Sequence, residues 1–416
     1  MNSKKSYLWN TIATLLNAAM SAVLLLVVIR TLGPEEGGVF SLGFSIAQLM
    51  LTIGYYDMRV YQATDVENKY SFAEYFNSRV VTCAAMVAIS IIYVMVKGYT
   101  GEKLMIILLL CAFKMSDAIE DVYQGQMQKD GHLDTAGFLQ TIRLIICMAV
   151  FGAVLIITHD LVLTCLISAV LALVLSVVLN APMLKKYESF KFVINVKQVL
   201  LLLLACLPLC IGSYLSLYVG NAPKYAIDSY MGDAAQSYYN IVFMPSYVVS
   251  LLSGFIFKPA LTSMAMDWNG AQYKVFFKKT AKLIVATAIL TVIALVLAYI
   301  CGCQVLGLFY GVDIMEYRSS LMVLMLGGGF YALGMILYYM VTITRQQKFL
   351  MIIYILVAIG AFFISPIFVK NMGLFGASVA YMISTVIRFV GFSVLFIVVY
   401  FKEKKNKEIL DRGILN

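Results

Sequence analysis

Apolar runs of about 20 residues, each long enough to cross roughly 30 Å of hydrocarbon as an α-helix, recur along the whole sequence. Of the 416 residues, 62% are hydrophobic and 13% are charged, whereas soluble domains carry about a quarter charged residues. The sequence therefore predicts an all-α, multi-pass membrane protein with about twelve transmembrane helices. The predicted spans are residues 8–29, 39–56, 79–97, 104–124, 137–158, 161–180, 198–219, 238–261, 281–301, 319–341, 349–369 and 373–400.

The basic residues are distributed unevenly over the predicted loops. With the N-terminus in the cytoplasm, 21 of the 31 Lys and Arg residues fall in cytoplasmic segments and 6 in external ones. Positive residues next to membrane spans favour the cytoplasmic side, so we expect both termini there. The net charge of +9 is concentrated in loops that face anionic lipid, and it requires no nucleic-acid partner.

The ends of the first and the seventh run resemble each other at an offset of 199 positions. Gly33 corresponds to Gly232 and Phe40 to Tyr239. Six helices per half predict a parallel repeat, related by a pseudo-two-fold axis along the membrane normal. Chance similarity between glycine-rich turns is the alternative. The predicted domains are a six-helix bundle at 1–184, a cytoplasmic linker at 185–197, a second six-helix bundle at 198–401 and a basic cytoplasmic tail at 402–416.

The fourth run carries four ionisable side chains, Lys114, Asp117, Glu120 and Asp121. At about 100° per residue, three of them fall within roughly 80° of one another and Glu120 lies at the margin. A charge at the centre of the bilayer costs about 2.5–3.5 kcal/mol. This polar stripe is therefore expected to face protein or a water-filled cavity.

Arg143 on the fifth run lies as far after the turn at Asp130 as Asp117 lies before it. Equal distance from a hairpin turn means similar depth, so we expect an ion pair between Asp117 and Arg143. Lys114 and Asp117, three residues apart on one helix, form a competing pair. These charges either serve function or hold helices together as fixed pairs, and the other two acids of the run could be interfacial.

Arg388 lies near the middle of the last run, in "STVIRFVGF", with no acid within reach on its own helix. A buried guanidinium without a carboxylate suggests an anion that the sequence does not supply, and its donors suit a phosphate or diphosphate. Lys258 either contacts substrate or extends to the membrane interface. Lys224 and Asp228 either line an external vestibule or are solvated helix-end charges.

Motifs of the common energy-coupling and hydrolytic sites do not occur in the sequence. It contains no P-loop and no G-x-S-x-G, and its two histidines and eight cysteines do not have the spacing of a zinc site. We therefore expect no metal, no cofactor and no built-in ATPase, and we expect a proton or sodium gradient, or consumption of the substrate, to supply energy. Gly327–Gly329 is expected to permit a bend or close helix contact.

Several segments resemble motifs of bacterial polysaccharide flippases in the multidrug, oligosaccharidyl-lipid and polysaccharide exporter superfamily. "RTLGPEEGGVFSL" at 30–42 resembles the signature at the end of their first helix. Residues 59–79, 121–143 and 220–228 are similar to motifs of the branch found in Gram-positive capsular and exopolysaccharide clusters. "MGLFGASVAYMIS" at 372–384 resembles the start of the last helix.

The resemblance implies a protein of the bacterial cytoplasmic membrane without enzymatic activity. It would move undecaprenyl-diphosphate-linked oligosaccharide from the cytoplasmic to the outer leaflet, with membrane lipids, glycosyltransferases and a polymerase as partners. By position, Arg59, Arg143, Lys224 and Asp228 carry over as candidates for gating or substrate contact. His132 stands where the branch often has arginine, and this difference argues against a role for a strong charge at that cytoplasmic turn.

Alternating access through a partly cationic cavity between two rocking halves is the expected mechanism. A drug or cation antiporter of the same superfamily is the nearest alternative, and a membrane-embedded polymerase or ligase is a further one. The candidate substrate-binding residues are Arg143, Arg388, Lys114, Lys258, Lys224 and Arg59. The candidates for ion coupling or gating are Asp117, Glu120, Asp121 and Asp228.

Overall fold

The computed structural model describes residues 3–65, 69–180, 182, 195–257, 260–344 and 346–413, and this part of the chain is helical without β-strands. The helices are α1 (Ser3–Leu32), α2 (Pro34–Tyr55), α3 (Met58–Thr64), α4 (Phe72–Lys97), α5 (Gly101–Lys129), α6 (Leu133–Thr158), α7 (Leu161–Val178), α8 (Val196–Tyr230), α9 (Asp233–Phe257), α10 (Leu261–Asn269), α11 (Tyr273–Leu297), α12 (Cys303–Tyr310), α13 (Arg318–Ile343) and α14 (Gln347–Gly413). A π-helical turn (Ala298–Gly302) joins α11 to α12, and a 3-10 turn (Met315–Tyr317) precedes α13.

Within the described ranges, nine helical segments are long and apolar enough to cross a membrane. The twelve runs expected from the sequence nevertheless all coincide with helices. The numbers differ because α5 and α9 are not among the nine segments, and because the last two runs form one continuous segment. Gly373 interrupts that segment with a non-helical backbone, at φ 57° and ψ −137°. The chain is therefore a multi-pass helical membrane protein.

The chain divides into two compact units, Met1–Leu217 and Tyr218–Asn416, and the division falls inside α8. Most of the expected linker, residues 183–194, lies outside the described residues, so the expected domain limits stay a prediction. In the first unit, α5 packs against α2, α3, α4, α6 and α7. In the second unit, α13 packs against α9, α11 and α14.

The two members of the proposed repeat occupy similar local positions. Gly33 separates α1 from α2 with a positive φ of 96°, and Gly232 lies in the break between α8 and α9. Phe40 and Tyr239 are both buried, and each lies six residues after the first residue of its helix. The repeat positions therefore end one helix and anchor the next in each unit.

The three consecutive glycines of α13 permit close helix contact, as expected. A Cβ atom at Gly328 would lie 2.6 Å from the carbonyl oxygen of Ser246 on α9, and one at Gly327 would lie 2.8 Å from the ring of Tyr381 on α14. Both distances are shorter than van der Waals contact. These glycines therefore bring α9 and α14 to the surface of α13, where Arg388 of α14 also packs.

Candidate functional site

The expected ion pair between Asp117 and Arg143 is present in the first unit. Arg143 Nη2 lies 2.5 Å from Asp117 Oδ1, and Lys114 Nζ lies 2.9 Å from Asp117 Oδ2. The pair on the same helix does not compete with the pair across the hairpin, because each cation uses a different carboxylate oxygen. All three side chains are at most 5% exposed.

Arg143 has partners for all three guanidinium nitrogens. Its Nε lies 2.8 Å from Glu120 Oε2, and its Nη1 donates to Ser116 Oγ at 2.7 Å. Glu120, at the margin of the polar stripe, thus belongs to the same cluster as Asp117. A role for Arg143 in substrate binding stays a prediction, and it would require exchange of these partners.

Arg79 on α4 is a buried charge, although the predicted span 79–97 places it at the edge of the membrane. Its Nη2 lies 2.7 Å from Asp121 Oδ2, and its Nη1 donates to the carbonyl oxygen of Gly54 near the end of α2. The missed signal was the capping box of Ser71 and Glu74, which starts α4 at Phe72. This start places Arg79 two turns inside the helix and not at its edge.

Arg59 connects the short helix α3 to the polar face of α5. Its Nη1 donates to Gln124 Oε1 at 2.6 Å and its Nε to Gln128 Oε1 at 3.2 Å. Asp121 Oδ1 lies 3.5 Å from the same Nη1, and the Arg59 side chain is 30% exposed. Arg59 is thus the most accessible cation of the cluster, and its role in substrate contact stays a prediction.

The buried charges on α4, α5 and α6 balance one another among the described residues. The cations Arg79, Lys114 and Arg143 face the acids Asp117, Glu120 and Asp121, all buried. Removing ions from water costs several kcal/mol each unless opposite charges and hydrogen bonds compensate. All three acids are paired with cations of the protein, and a cationic cargo would have to displace those cations to bind the acids.

Asp65, at the end of α3, is a further buried acid and lies outside the apolar spans. Burial raises the pKa of its carboxyl, but hydrogen bonds from the backbone N–H groups of Tyr70 and Lys69 and from the Tyr75 hydroxyl outweigh this effect. With the nearby ammonium of Lys129 at 3.9 Å, they hold the pKa of Asp65 below its ordinary value. The acid ties the link after α3 to α4 and α5.

Arg388 is the buried guanidinium of the second unit, with 1% of its surface exposed. Its Nη2 donates to the carbonyl oxygen of Tyr331 at 3.1 Å, and its guanidinium carbon lies 4.0 Å from the centre of the Tyr331 ring. Its Nε has no hydrogen-bond partner. Within the described part of the chain, no carboxylate lies within 4.0 Å of this guanidinium.

Two other expected site residues lie near the end of α8. Lys224 is buried, with its Nζ 4.8 Å from the centre of the Phe243 ring, and Asp228 is partly exposed one turn later. Lys258 lies outside the described residues. The roles of all three stay predictions.

The two units differ in the signs of the charges that they bury: the first unit buries both cations and acids, and the second buries cations. Among the described residues of the second unit, the buried charged side chains are Lys224 and Arg388, which are both cations. The first unit balances its cations with acids. The second unit is consequently the part of the described chain in which a buried cation lacks a carboxylate, namely at Arg388.

Similar proteins were found among both sequences and solved structures. The capsular polysaccharide biosynthesis protein CapF of Staphylococcus aureus is 22% identical over 339 residues, which cover 80% of this chain and 84% of CapF. A multidrug resistance MATE family transporter of the MOP superfamily, in an inward-facing conformation, has a TM-score of 0.68 at 15% identity, with 94% of this chain and 96% of that chain covered.

The lipid II flippase MurJ, in an inward closed conformation, has a TM-score of 0.70 at 14% identity, with 97% of this chain and 91% of that chain covered. These structural likenesses give the fold of MOP superfamily proteins. The model of a family described as polysaccharide biosynthesis protein matches residues 3–265, more than half of the chain. The chain is therefore a multi-pass membrane protein of the polysaccharide biosynthesis protein family.

Proposed function

We propose that this protein is a flippase for undecaprenyl-diphosphate-linked oligosaccharide, which it moves from the cytoplasmic to the outer leaflet for capsular or exopolysaccharide synthesis. Family membership, the likeness to CapF and the fold shared with a lipid II flippase support this proposal. The observation that carries it is Arg388, a buried guanidinium with an unpartnered Nε and no carboxylate nearby among the described residues.

The lipid substrate needs a polar route because its sugar head cannot cross hydrocarbon unaided, where every unsatisfied polar group is penalised. Arg388 is close to mid-membrane by its place in the predicted last run, 15 residues after Gly373 and 13 before Phe401. A cation there costs about 2.5–3.5 kcal/mol, of which a contact with an aromatic ring returns about 0.5–2 kcal/mol. A diphosphate would supply the missing charge and accept several guanidinium hydrogen bonds.

Under this proposal the balanced cluster of the first unit holds α2, α4, α5 and α6 in register. Lys114, Arg143, Arg59, Lys224 and Lys258 remain candidates for further contact with the substrate. The acids Asp117, Glu120, Asp121 and Asp228 remain candidates for gating or for coupling to protons or sodium. Pathway glycosyltransferases and a polymerase are the expected partners, and the bacterial cytoplasmic membrane is the expected location with both termini inside.

The proposal is tested with purified protein in proteoliposomes containing a fluorescent undecaprenyl-diphosphate oligosaccharide, by measuring its transfer between leaflets. Arg388→Gln should abolish transfer, because it removes the charge but keeps much of the side-chain volume. Arg318→Gln is the matched control. Like Arg388, Arg318 donates a hydrogen bond to a tyrosine carbonyl oxygen, that of Tyr299, and its guanidinium carbon lies 4.2 Å from the centre of the same tyrosine's ring. Unlike Arg388, it is partly exposed, at the start of α13.

Wild-type transfer that persists in Arg318→Gln and is lost in folded Arg388→Gln would support the proposal. Equal transfer by both variants would refute the role of Arg388. If the wild type moves no lipid but transports an organic cation, the protein is an antiporter and the proposal fails.

A further inference from the structure

The first two turns of α9 carry buried polar atoms that have no protein partner among the described residues. These atoms are both amide atoms of Gln236, the hydroxyl of Ser237 and the hydroxyl of Tyr239. The three side chains are at most 1% exposed. Buried polar groups are almost always hydrogen-bonded, and leaving one unpaired costs its desolvation free energy. Such a concentration within four residues requires an explanation.

Gln236 and Tyr239 lie three residues apart and therefore share one side of the helix. Aromatic rings continue this side. Tyr239 stacks on Phe243 with ring centres 5.6 Å apart, and Phe243 meets the edge of Tyr381 at 4.8 Å. A carboxamide both donates and accepts hydrogen bonds, and so does a phenol hydroxyl.

This side also leads towards Arg388 within the same unit. Tyr381 lies seven residues before Arg388 on α14, two turns away on the same face and about 10 Å along the helix axis. Phe243 contacts Tyr381, so the rings form a continuous series from Tyr239 on α9 to a point two turns before Arg388 on α14. The polar atoms of Gln236 and Tyr239 are thus a few turns away from the guanidinium.

Neutral donors and acceptors beside aromatic faces match the chemistry of a sugar, which presents hydroxyl or acetamido groups together with apolar C–H faces. We infer that Gln236 and Tyr239 form a subsite for the sugar attached to the diphosphate at Arg388. The inference rests on the proposed function and adds to it that different residues recognise the two parts of the substrate head group. Arg388 recognises the charged link, while Gln236 and Tyr239 recognise the glycan.

The test compares two probes with the full chain in lipid nanodiscs. One is undecaprenyl diphosphate that carries an N-acetylglucosamine-containing disaccharide, and the other is undecaprenyl diphosphate without sugar. Loss of a neutral hydrogen bond should weaken binding of the glycosylated probe about tenfold in Gln236→Leu and in Tyr239→Phe. Binding of the bare probe should be unchanged in both, whereas Arg388→Gln should weaken binding of both probes.

Ser237→Ala is the matched control, because it removes a buried, unpartnered hydroxyl that lies about 200° around the helix from Tyr239. Neither probe should bind it more weakly. Tyr239→Phe should also keep the melting temperature of the wild type or raise it, since its hydroxyl has no protein partner to lose.

Several results would overturn the inference. They are equal affinities of the wild type for the two probes, unchanged binding of the glycosylated probe by both α9 variants, or equal weakening of both probes by Tyr239→Phe. The first two leave the diphosphate site at Arg388 intact, and they would indicate that buried water satisfies these polar atoms. A wild type that binds neither probe refutes the proposed function together with this inference.

Discussion

Neutralising Asp117 should destabilise the protein far more than neutralising an acid of a partly exposed pair. In Asp117→Asn, Arg143 keeps Glu120 and Ser116 as partners. Lys114 loses its carboxylate, because the asparagine amide oxygen can accept a hydrogen bond but carries no negative charge, and the nearer of its two aromatic neighbours is Phe44, with the ring centre at 4.8 Å. Leaving one charge of a buried pair uncompensated costs about 3–5 kcal/mol, so we expect a loss of this size in the free energy of unfolding.

A second substitution separates this charge effect from general damage. Lys114→Met in the Asp117→Asn background removes the stranded cation and restores equal numbers of cations and acids in the buried cluster on α4, α5 and α6. Replacing a whole buried pair by apolar groups is often close to neutral. The double variant should therefore lie within about 2 kcal/mol of the wild type and be more stable than Asp117→Asn, which gives a favourable coupling in the double-mutant cycle.

The assay is reversible unfolding in mixed detergent micelles, followed by circular dichroism as the denaturing detergent is increased. Asp267→Asn is the control, since Asp267 lies 2.6 Å from Lys279, whose side chain is 39% exposed. Partly exposed pairs contribute about 1 kcal/mol or less. The reasoning is refuted if Asp117→Asn costs no more than Asp267→Asn, or if adding Lys114→Met makes Asp117→Asn less stable.

Two further predictions concern stability. The pKa of Asp65 is lower in the folded protein than its ordinary value, so its contribution is present above about pH 4, the unfolded pKa, and is lost as the pH falls through the lower folded pKa. Asp65→Asn should thus lower the melting temperature of the protein at pH 7 and reduce the fall in melting temperature between pH 7 and pH 3. An unchanged pH dependence of the melting temperature would contradict this. Gly328→Ala should cost about 1–3 kcal/mol by overpacking, because its Cβ would lie 2.6 Å from a backbone oxygen of Ser246, whereas nothing lies within 4 Å of a Cβ at Gly152. Gly152→Ala should be neutral or stabilising, and equal melting temperatures for the two variants would reject the packing argument.

The helices and the two ion pairs of Asp117 could be predicted because a membrane limits the structures that a chain can form. In hydrocarbon each backbone polar group must be satisfied within the segment, so a long apolar run forms a helix. The hairpin between α5 and α6 fixes depth, and residues equidistant from its turn meet, as Asp117 and Arg143 do. These inferences need only the distance along the chain.

The partners of Arg79 could not be found in this way. Its contacts with Asp121 and with the carbonyl oxygen of Gly54 join three helices, and they depend on how far each helix is rotated about its axis. Several side chains must pack together before that rotation is defined. The same reason hid the shared position of Glu120 beside Arg143.

The sequence by itself determined the membrane class, the order of the helices, the resemblance to polysaccharide flippases and the presence of ionisable groups within apolar runs. Apart from the two ion pairs of Asp117, only the tertiary structure decided how those groups are compensated. It pairs the buried charges of the first unit and leaves Arg388 against the ring of Tyr331. It also leaves the side-chain polar atoms of Gln236 and Tyr239 without hydrogen-bond partners in the described chain. The physical reason is that compensation of a charge or a polar atom is decided within about 4 Å, and side-chain packing between helices sets distances on that scale.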